Sequence, residues 1–568
     1  MLAPTTSYFH RTSAIPLLND TLGGALDKAA ERWPDQEAVV VRDQGARLTF
    51  AKLRSEADRL AAGLIALGLK PGDRVGLWSP NRIEWVLTQY ATAKAGLILV
   101  NINPAYRAAE LEYALNKVEC QALITADRFK TTNYIRILRE LAPELDYCAP
   151  GALKAARLPH LSIAVHFADT DEPGYFRFSE MQALGVPSDR ARLDELSQLL
   201  QPDDPINIQF TSGTTGSPKA ATLTHHALLN NGYFVGLMQD LKVGDRYGTP
   251  FPLYHVGGMV CGSIMGIALG VTSIYLGEAF DPLAALETIQ AERCTQFCGV
   301  PTMLIAILNH PAFRQYDMSS LRGGFSGGSP VPNDTARRVM DVMNMRDFIC
   351  LYGMTELSGS SVQNTPEDSF EQRVGTIGRV QPHMEVKIAG ADGRTVALGT
   401  QGELCFRGYM VMRGYWGDEA RTWETIDEAG WLHSGDLGVM DADGFIRITG
   451  RSKDMVIRGG ENIYPREVEE FLFKHPAIAD VQGFGVPDAY WGEELCVWIT
   501  LKENAVATEE DIRSFCRGQI THFKIPRYVR FVDAFPMTVT GKVQKFIMRE
   551  MMTKELASTP HKLGEIQN

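Results

Sequence analysis

The stretch TSGTTGSPK, residues 211–219, combines two glycines, several hydroxyl side chains and one lysine. Glycine lets a backbone approach a phosphate closely, and lysine adds a compensating positive charge. The nucleotide P-loop, however, requires the spacing G-x-x-x-x-G-K-[ST]. Here Gly213, Gly216 and Lys219 follow G-x-x-G-x-x-K, and Ala220 stands where a P-loop has the Ser or Thr that holds magnesium. The stretch predicts a phosphate-binding loop that is not a P-loop, with a purely structural turn as the alternative.

The sequence around this loop has the pattern of an α/β protein. The strand-like run INIQF, residues 206–210, places the loop at a strand end, where open α/β sheets bind ligands. Apolar runs at residues 38–41 and 73–78 are separated by a helix-like amphipathic segment, and the pattern recurs between residues 272 and 310. Short buried strands that alternate with helices predict βαβ units with parallel strands.

The pattern changes from about residue 384. Alternating residues around Asp-Gly turns predict β-hairpins at 384–408 and 439–450, and a strand, a Gly-Gly turn and a helix that begins at Pro465 follow. We therefore expect an α/β fold in three parts. These are a large N-terminal domain of βαβ-type sheets with a β-rich subdomain (residues 1–450), a hinge (451–454) and a small, mobile α+β C-terminal domain (455–568).

The composition sets broad limits on function. The chain has 568 residues, of which 45% are hydrophobic and 22% are charged, as in an ordinary globular protein with a large core. Its net charge of −12 argues against a general nucleic-acid-binding surface. The nine cysteines form no C-x-x-C motif, and Cys294 and Cys298 have no histidine cluster beside them. We expect no zinc site, no secretory signal and a reducing, cytoplasmic location.

Residues 256–277 form a 22-residue stretch without a charged side chain, which is long enough to span a bilayer. Gly270 divides this stretch into a helix-like part and a β-rich part. We expect a buried helix followed by a buried strand, with no transmembrane segment. Contact with a membrane is the alternative.

The segment from Arg513 to Lys554 is basic within an acidic chain, with nine Lys or Arg residues and two acidic ones. Two interpretations fit this pattern. It is either a solvated basic face or a surface for a polyphosphate ligand.

Three further clusters carry groups that suit a nucleotide. YGMTE, residues 352–356, could stack a base, donate to a phosphate and hold Mg²⁺ through Glu356. Asp436 in HSGDLG could accept two hydrogen bonds from a ribose diol, and Lys542 in TGKVQK directly follows a glycine. Taken singly, a surface glutamate, a backbone-capping aspartate and a solvent-facing lysine are equally ordinary interpretations.

The order of the motifs is more specific than any one of them. TSGTTGSPK, YGMTE, HSGD, GRSKDMVIRGGENIYP and TGKVQK follow one another along the chain. The sequence resembles the adenylate-forming superfamily of acyl-CoA synthetases, peptide-synthetase adenylation domains and luciferases, over about residues 20–556. With FPLYH and HFKIP it is most similar to the medium-chain fatty acyl-CoA synthetase branch. The resemblance implies ATP-dependent activation of a fatty acid to an acyl adenylate with pyrophosphate release, and then transfer to CoA to give acyl-CoA and AMP.

The resemblance also implies catalytic residues, with ATP, Mg²⁺ and CoA as the bound groups. Lys542 would bridge the substrate carboxylate and the α-phosphate, and a hinge motion would later replace it by the segment that serves the thiol. Thr355 would touch the α-phosphate, and Glu356 would hold Mg²⁺. His255 would stand at the acyl pocket as part of a gate.

Further binding residues follow from the same resemblance. The β- and γ-phosphates would be cradled by Thr211, Ser212, Gly213, Thr214, Thr215, Gly216 and Lys219. Adenine would be framed by Gly327, Gly328, Ser329 and Tyr352. The ribose would be bound by Asp436 and Arg451, Lys453 would be the hinge residue, and the pantetheine tunnel would be lined by Gly459, Gly460 and Glu461. Ala220 departs from the glycine usual in the family, which puts the local packing in question rather than the chemistry.

The acyl substrate is expected to be uncharged. Amino-acid-activating relatives carry an aspartate in the segment that matches FPLYH, and residues 251–255 contain none. Each buried methylene contributes about 0.8 kcal/mol, so we expect a graded preference that weakly favours medium chains. The partners are then small molecules: the carboxylic acid, ATP and CoA. The oligomeric state, including a homodimer, stays open.

Other functions compete with this one. An acyl- or aryl-AMP ligase could use a different acid or pass the acyl group to a carrier protein in place of CoA. A non-catalytic nucleotide-binding regulator would be expected to lack Lys542 or Glu356, and both are present. A P-loop ATPase is the weakest alternative because the lysine spacing is wrong.

Overall fold

The computed structural model of the protein describes residues 5–211, 218–329, 331–451, 454–458, 461–488, 490–538 and 543–558. The chain forms two compact units. The first comprises Met1–Tyr8, Lys387–Cys405 and His433–Asn568, and the second comprises Phe9–Val386 and Phe406–Leu432. The hinge expected at residues 451–454, and the domain boundary there, stay predictions.

The secondary structure alternates strands and helices along most of the chain. The strands are β1 (Tyr8–His10), β2 (Glu37–Val41), β3 (Ala46–Thr49), β4 (Arg74–Trp78), β5 (Ile98–Ile102), β6 (Ala122–Thr125), β7 (Arg128–Phe129), β8 (Thr132–Asn133), β9 (Ile163–His166), β10 (Tyr175–Arg177), β11 (Pro205–Thr211), β12 (Lys219–Thr224), β13 (Arg246–Thr249), β14 (Thr272–Tyr275), β15 (Gln296–Cys298), β16 (Gly323–Gly327), β17 (Asp347–Met354), β18 (Gly359–Gln363), β19 (Arg379–Val380), β20 (Met384–Ala389), β21 (Gly402–Gly408), β22 (Gly414–Tyr415), β23 (Leu432–Met440), β24 (Ile446–Arg451), β25 (Val456–Arg458), β26 (Glu461–Ile463), β27 (Ile478–Asp488), β28 (Gly492–Leu501) and β29 (Tyr528–Phe531).

The α-helices are α1 (Leu22–Arg32), α2 (Phe50–Ala66), α3 (Ile83–Ala95), α4 (Ala108–Lys117), α5 (Tyr134–Leu141), α6 (Phe178–Leu184), α7 (Pro187–Leu199), α8 (His225–Met238), α9 (Val256–Gly258), α10 (Met265–Leu269), α11 (Pro282–Ala291), α12 (Pro301–Leu308), α13 (Asn333–Asp341), α14 (Phe370–Gly375), α15 (Glu419–Thr425), α16 (Pro465–Leu472), α17 (Glu509–Cys516) and α18 (Lys545–Ser558). A π-helix spans Met259–Ile264, and 3₁₀ turns span Pro143–Asp146, Phe313–Gln315, Thr355–Leu357 and His522–Lys524.

Two large sheets form the second unit. One has the order β10-β9-β6-β4-β5-β11-β12-β22 and is parallel from β10 to β11 and antiparallel from β11 onward. The other has the order β19-β18-β17-β16-β15-β13-β14-β2-β3, with a parallel centre from β17 to β2 and antiparallel strands at both edges. Parallel strands are covered on both faces, which explains the apolar runs at residues 38–41 in β2 and 97–100 at β5. The predicted α/β class is confirmed.

The predicted hairpins belong to a five-stranded sheet with the order β1-β20-β21-β23-β24. The strands β20 and β21 are neighbours, and the Asp-Gly turn between them is closed by a bridge from Ala389 to Thr395. The strands β23 and β24 form an antiparallel pair in which Asp436 faces Arg451. The sequence patterning therefore predicts both pairs of strands.

The C-terminal part of the first unit is an α+β arrangement. Its sheet has the order β26-β25-β28-β27, with β29 added in parallel to β28. The helix α16 begins at Pro465, as the sequence predicts, and packs on β27. Its core includes Leu472, Val481, Val497, Ile499 and Ile512, each fully or almost fully buried.

The uncharged stretch 256–277 folds as a helix followed by a strand. The helix consists of α9, the π-helix Met259–Ile264 and α10, and Gly270 ends it with a left-handed backbone conformation, φ +69°. The strand β14 then enters the parallel centre of the nine-stranded sheet. In the part of the chain that the structure describes, no helix is long and apolar enough to cross a membrane.

The basic segment from Arg513 to Lys554 is largely paired with acidic side chains. Among its described residues, six cations make ion pairs within the first unit, for example Lys524 with Glu467 and Lys545 with Glu469. These pairs agree with a solvated structural face, and the surface for a polyphosphate ligand stays the alternative prediction.

Candidate functional site

The two ends of the predicted phosphate loop lie opposite each other. Thr211 is the last residue of β11, Lys219 is the first residue of β12, and the two form a pair in the antiparallel register. A P-loop is followed by a helix, whereas this loop leads into a strand. The predicted members Ser212, Gly213, Thr214, Thr215 and Gly216 lie outside the described residues.

Glu356 lies beside the start of this loop. It belongs to the 3₁₀ turn Thr355–Leu357 between β17 and β18, and Thr355 and Glu356 are both buried. The Glu356 carboxylate oxygen Oε1 accepts a hydrogen bond from the Thr211 hydroxyl at 3.3 Å. The fold thus brings together two predicted residues that are far apart in the sequence.

Tyr415 joins this cluster, and the sequence analysis did not identify it. Its hydroxyl donates to Glu356 Oε1 at 2.9 Å, and the Lys219 ammonium lies 4.8 Å from its ring centre. Burial, and then the Glu356 carboxylate, raise the pKa of Tyr415 well above its ordinary value, so its hydroxyl stays protonated and donates. The segment RGYW around it carries no recognisable sequence signal for this role.

The residues at Glu356 suit a small divalent cation. Mg²⁺ prefers hard oxygen ligands and is usually held by one or two carboxylates together with substrate phosphates. Among the described residues, no donor is bonded to the second carboxylate oxygen, Oε2, while Oε1 is held by two hydroxyl groups. Glu356 would hold the ion, and the Thr211 hydroxyl is a further oxygen beside it. The chemistry of this donor set therefore fits the implied metal.

The predicted adenine-binding residues lie at the ends of neighbouring parallel strands. Gly327 ends β16 and pairs with Leu351, which precedes Tyr352 in β17. Gly328 follows with φ +83°, a conformation that favours glycine, and Ser329 is exposed. The Tyr352 ring stacks on Phe406 at a centroid distance of 6.2 Å. Gly327, Gly328, Ser329 and Tyr352 are therefore at one sheet edge, where α/β folds bind ligands.

The segment that ends at His255 is fixed by backbone contacts. His255 caps the short helix α9, and its Nδ1 accepts a hydrogen bond from the amide of Gly257 at 3.1 Å. In a neutral imidazole the proton then resides on Nε2. A Cβ atom on Gly258 would lie 2.2 Å from the Pro252 carbonyl oxygen, so the close approach of the two segments requires glycine there.

Two buried asparagines also hold this segment. Asn81 accepts from the amide of Leu253 at 2.7 Å and donates to the carbonyl of Phe251 at 2.9 Å. Asn101 donates to the carbonyl of Tyr254 at 2.9 Å. Because backbone groups are obligatory hydrogen-bonding groups, these contacts fix the path of residues 251–255. No motif in the sequence marks either asparagine.

An uncharged cluster adjoins Phe251. Phe251 packs against the buried cluster that contains Val235, Leu241, Tyr247, Cys261, Met265, Val271, Cys298, Phe325 and Ile349. Burial raises the pKa of the Cys298 thiol to about 12, so it stays neutral. The cluster is part of the hydrophobic core beside Phe251.

Asp436 and Arg451 form an ion pair within the first unit. They face each other across β23 and β24, and Arg451 Nε donates to Asp436 Oδ1 at 2.7 Å. The Asp436 carboxylate is buried, whereas the Arg451 side chain is 65% exposed. A buried carboxylate beside an exposed guanidinium offers both acceptors and donors to a polar ligand.

The remaining predicted residues are only partly described. Glu461 begins β26, is exposed and pairs with Arg458 across the hairpin of β25 and β26. Lys453, Gly459, Gly460 and Lys542 lie outside the described residues. Arg458 is anchored by Glu494 at 2.8 Å and lies 4.4 Å from the ring centre of Trp491.

Comparisons with known proteins agree with this arrangement. A family model described as AMP-binding enzyme matches residues 26–416, which is more than half of the chain. The chain belongs to the AMP-binding enzyme family. A second model, the AMP-binding enzyme C-terminal domain, matches residues 467–542. The predicted resemblance to adenylate-forming enzymes is confirmed.

Relatives and solved structures are similar to this AMP-binding enzyme over nearly its whole chain. The medium-chain acyl-CoA ligase ACSF2, mitochondrial, of Bos taurus is 47% identical over 556 residues, which is 97% of this chain and 90% of the relative. The ligase of the same name from Danio rerio is 44% identical over 555 residues, which is 97% of this chain and 91% of the relative. The crystal structure of the anthranilate CoA ligase AuaEII with anthranoyl-AMP is 25% identical, with a TM-score of 0.82, and the match covers 96% of this chain and 99% of that one.

Proposed function

We propose that this AMP-binding enzyme activates an uncharged, medium-chain carboxylic acid with ATP and transfers the acyl group to CoA. The first half-reaction gives an acyl adenylate and pyrophosphate, and the second gives acyl-CoA and AMP. The enzyme is an AMP-forming acyl-CoA synthetase, a fatty acid–CoA ligase. The observation that carries the site assignment is the buried Glu356 carboxylate held beside Thr211 at the start of the phosphate loop.

The first half-reaction is opposed by the electrostatic repulsion between its two negatively charged reactants. A carboxylate attacks the α-phosphorus of ATP, so two anions must meet in a site that supplies compensating charge. Lys219 at the end of the phosphate loop and Lys542 supply cations, Thr355 donates to the α-phosphate and the loop holds the departing pyrophosphate. Mg²⁺, held by Glu356, would neutralise the charge on the phosphate oxygens when it is bound.

The nucleotide is assigned to the residues that the resemblance to the family implies. The β- and γ-phosphates are assigned to Thr211, Ser212, Gly213, Thr214, Thr215, Gly216 and Lys219, and adenine to Gly327, Gly328, Ser329 and Tyr352. The ribose hydroxyls are assigned to Asp436 and Arg451, and their 2.7 Å ion pair, with a buried carboxylate, supports this assignment.

The second half-reaction requires the CoA thiol to reach the adenylate carbonyl after pyrophosphate has left. Lys542 must then give way to the segment that carries Gly459, Gly460 and Glu461, and rotation at residues 451–454 about Lys453 would exchange them. This alternation is proposed from the resemblance to the family. Lipid metabolism, and fatty acid metabolism in particular, is the corresponding physiological role.

The acid is proposed to enter beside the segment 251–255, with His255 as part of the gate. The absence of charged side chains from residues 251–268 and 298–303 supports a hydrocarbon tail. A hydrophobic pocket discriminates one methylene by only about 10- to 200-fold, so chain-length preference is expected to be graded. The two ACSF2 relatives are named medium-chain acyl-CoA ligases, which supports a medium-chain optimum.

We propose that the enzyme is located in a reducing compartment, the cytoplasm. The nine cysteines, all within the described residues, form no disulfide with one another, and eight of them are buried. The Bos taurus relative is named mitochondrial, so fractionation of cells, with mitochondrial and cytosolic markers, distinguishes the two compartments. A homodimer is also proposed, and light scattering of the purified protein tests it.

Pyrophosphate release across a panel of acids tests the proposed function. We expect turnover with octanoate, weaker turnover with shorter and longer fatty acids, and CoA-dependent formation of AMP and acyl-CoA. A phosphopantetheinylated carrier protein in place of CoA tests the alternative acceptor. Turnover of benzoate or an amino acid without turnover of octanoate would overturn the proposal.

A further inference from the structure

Tyr415 contacts both a cation and an anion that the proposed function assigns to ATP and its metal. Its hydroxyl donates to Glu356 Oε1 at 2.9 Å, and its ring lies under the Lys219 ammonium at 4.8 Å. Within the described residues, Lys219 and Glu356 make no ion pair with each other, although both contact this one side chain.

The position of Tyr415 is fixed by its backbone. The strand β22 pairs with β12, so Tyr415 faces Ala221, two residues after Lys219. The Tyr415 amide donates to the Thr422 hydroxyl at 2.9 Å, and the next amide, of Trp416, donates to the Ala220 carbonyl at 2.8 Å. The side chain is 6% exposed. The ring and its hydroxyl are therefore held beside the first residues of β12.

The same segment also holds the backbone of the Glu356 turn. The amide of Met412 donates to the Glu356 carbonyl at 2.9 Å, and the Ser358 hydroxyl donates to the Met410 carbonyl at 2.8 Å. The Glu356 carboxylate is thus tethered at its backbone and at one oxygen. Its second oxygen faces no donor among the described residues.

An aromatic ring between two opposite charges has a direct electrostatic consequence. The face of the ring attracts the Lys219 ammonium, and the hydroxyl at the ring's edge donates to the Glu356 carboxylate. Tyr415 therefore stabilises both charges, and the lysine and the glutamate do not have to pair with each other. A smaller aliphatic side chain would remove the ring and its hydroxyl, so the flexible Lys219 side chain could reach the Glu356 carboxylate and pair with it. A Lys219–Glu356 ion pair would compete with the polyphosphate for the lysine and with the metal for the carboxylate.

We propose that Tyr415 is a positioning residue that keeps Lys219 and Glu356 apart, so that the lysine stays available for the polyphosphate and the carboxylate for the divalent cation. This inference rests on the proposed function, because the assignment of both groups to magnesium–ATP comes from there. It adds Tyr415 to the site and explains why Lys219 and Glu356 do not pair with each other.

A double-mutant cycle with Lys219 tests the proposal. Equilibrium binding of ATP is measured by calorimetry at increasing Mg²⁺ concentration, without an acid substrate. Tyr415→Leu is expected to raise the Mg²⁺ concentration for half-maximal ATP binding about tenfold. The same substitution in a Lys219→Gln background should raise it less than about twofold, since no cation remains to pair with Glu356. Equal shifts in both backgrounds would show a merely structural role and overturn the proposal.

A conservative variant guards against failure to fold. Tyr415→Phe keeps the buried ring and removes only the hydroxyl, and its smaller shift should also be relieved by Lys219→Gln. The matched control is Tyr409→Phe, because the buried Tyr409 hydroxyl has no hydrogen-bond partner among the described residues. A shift with Tyr409→Phe equal to that with Tyr415→Phe contradicts the proposal. A wild-type protein that binds magnesium–ATP but does not turn over octanoate contradicts the proposed substrate and leaves the cycle interpretable.

Discussion

At the residue scale, the charge of Glu356 should matter more than its shape. Glu356→Gln keeps the side-chain volume and an oxygen that accepts from Thr211 and Tyr415, but it removes the negative charge. We expect adenylation to fall about 100-fold and to require more Mg²⁺. Pyrophosphate release at several Mg²⁺ concentrations checks this, with the exposed Glu424→Gln as control. An unchanged Mg²⁺ requirement would remove Glu356 from the metal site.

Asn81 offers a second test at this scale. Asn81→Ala leaves the Phe251 carbonyl and the Leu253 amide without their partner, which should destabilise the protein by about 1–3 kcal/mol. Because the segment ends at His255, the KM for the acid should rise more than the KM for ATP. Thermal unfolding and the two KM values measure these effects, and Asn116→Ala is a control at an exposed amide. Equal rises in both KM values contradict the assignment.

The residue-scale site could be predicted in part from the sequence. The sequence predicts that one polyphosphate and its metal are bound by Thr211, Lys219 and Glu356. In the fold, the Thr211 hydroxyl donates to Glu356 Oε1 at 3.3 Å. Tyr415 could not be found in this way, because its contacts depend on a two-residue strand that pairs with β12. The Asn81 side chain binds backbone groups that are far away in the sequence. Amphipathic patterns report local secondary structure and do not predict such long-range contacts.

At the element scale, the strand that follows the phosphate loop explains the departure at Ala220. The Ala220 methyl is buried in the core beside Phe210 and Trp416, in extended backbone paired with Phe210. Ala220→Gly should therefore cost about 0.5–1 kcal/mol through added freedom of the unfolded chain. Denaturant unfolding measures this loss, and the KM for ATP should stay unchanged. A stabilised variant would show that the alanine strains the strand.

The strand β27 should become less stable as pH rises. Burial raises the pKa of the Asp480 carboxyl to about 6 from an ordinary value of 3.8. The folded state then holds the proton more tightly than the unfolded chain, so stability falls between pH 3.8 and about pH 6 and stays low above. Asp480→Asn should recover up to about 3 kcal/mol above this range.

Hydrogen exchange of the β27 amides in the full chain measures this effect. The variant should protect these amides more than wild type at pH 7.5, and the difference should shrink at pH 5. A difference that does not depend on pH would show that the Asp480 charge is not its cause.

The sequence predicts regular elements better than irregular ones. The apolar runs at residues 38–41 and 97–100 mark the parallel strands β2 and β5, because both faces of those strands are buried. The stretch 256–277 was expected to be a helix and a strand, but the π-helix Met259–Ile264 within it has no distinct hydrophobic period. The division of the chain into two units likewise depends on long-range packing, which the hydrophobic periodicity of the sequence does not predict.

At the scale of the whole molecule, the two half-reactions should be separable by mutation. Lys542→Ala should abolish adenylation and retain thioester formation from a supplied acyl adenylate, because the lysine is assigned to the first step alone. Both rates are measured on the same preparation of this chain, with the exposed Lys502→Ala as control. Equal loss of both half-reactions would refute the proposed alternation at residues 451–454.

The most direct test of the central claim follows one oxygen atom. If the acid attacks the α-phosphorus, an oxygen of the carboxylate becomes the bridge of the acyl adenylate and stays with AMP when the CoA thiol takes the acyl group. Octanoate labelled with ¹⁸O in both carboxylate oxygens should therefore give AMP that carries one ¹⁸O, as measured by mass spectrometry. Formation of octanoyl-CoA with unlabelled AMP, or with ADP and labelled phosphate, would contradict activation through an acyl adenylate.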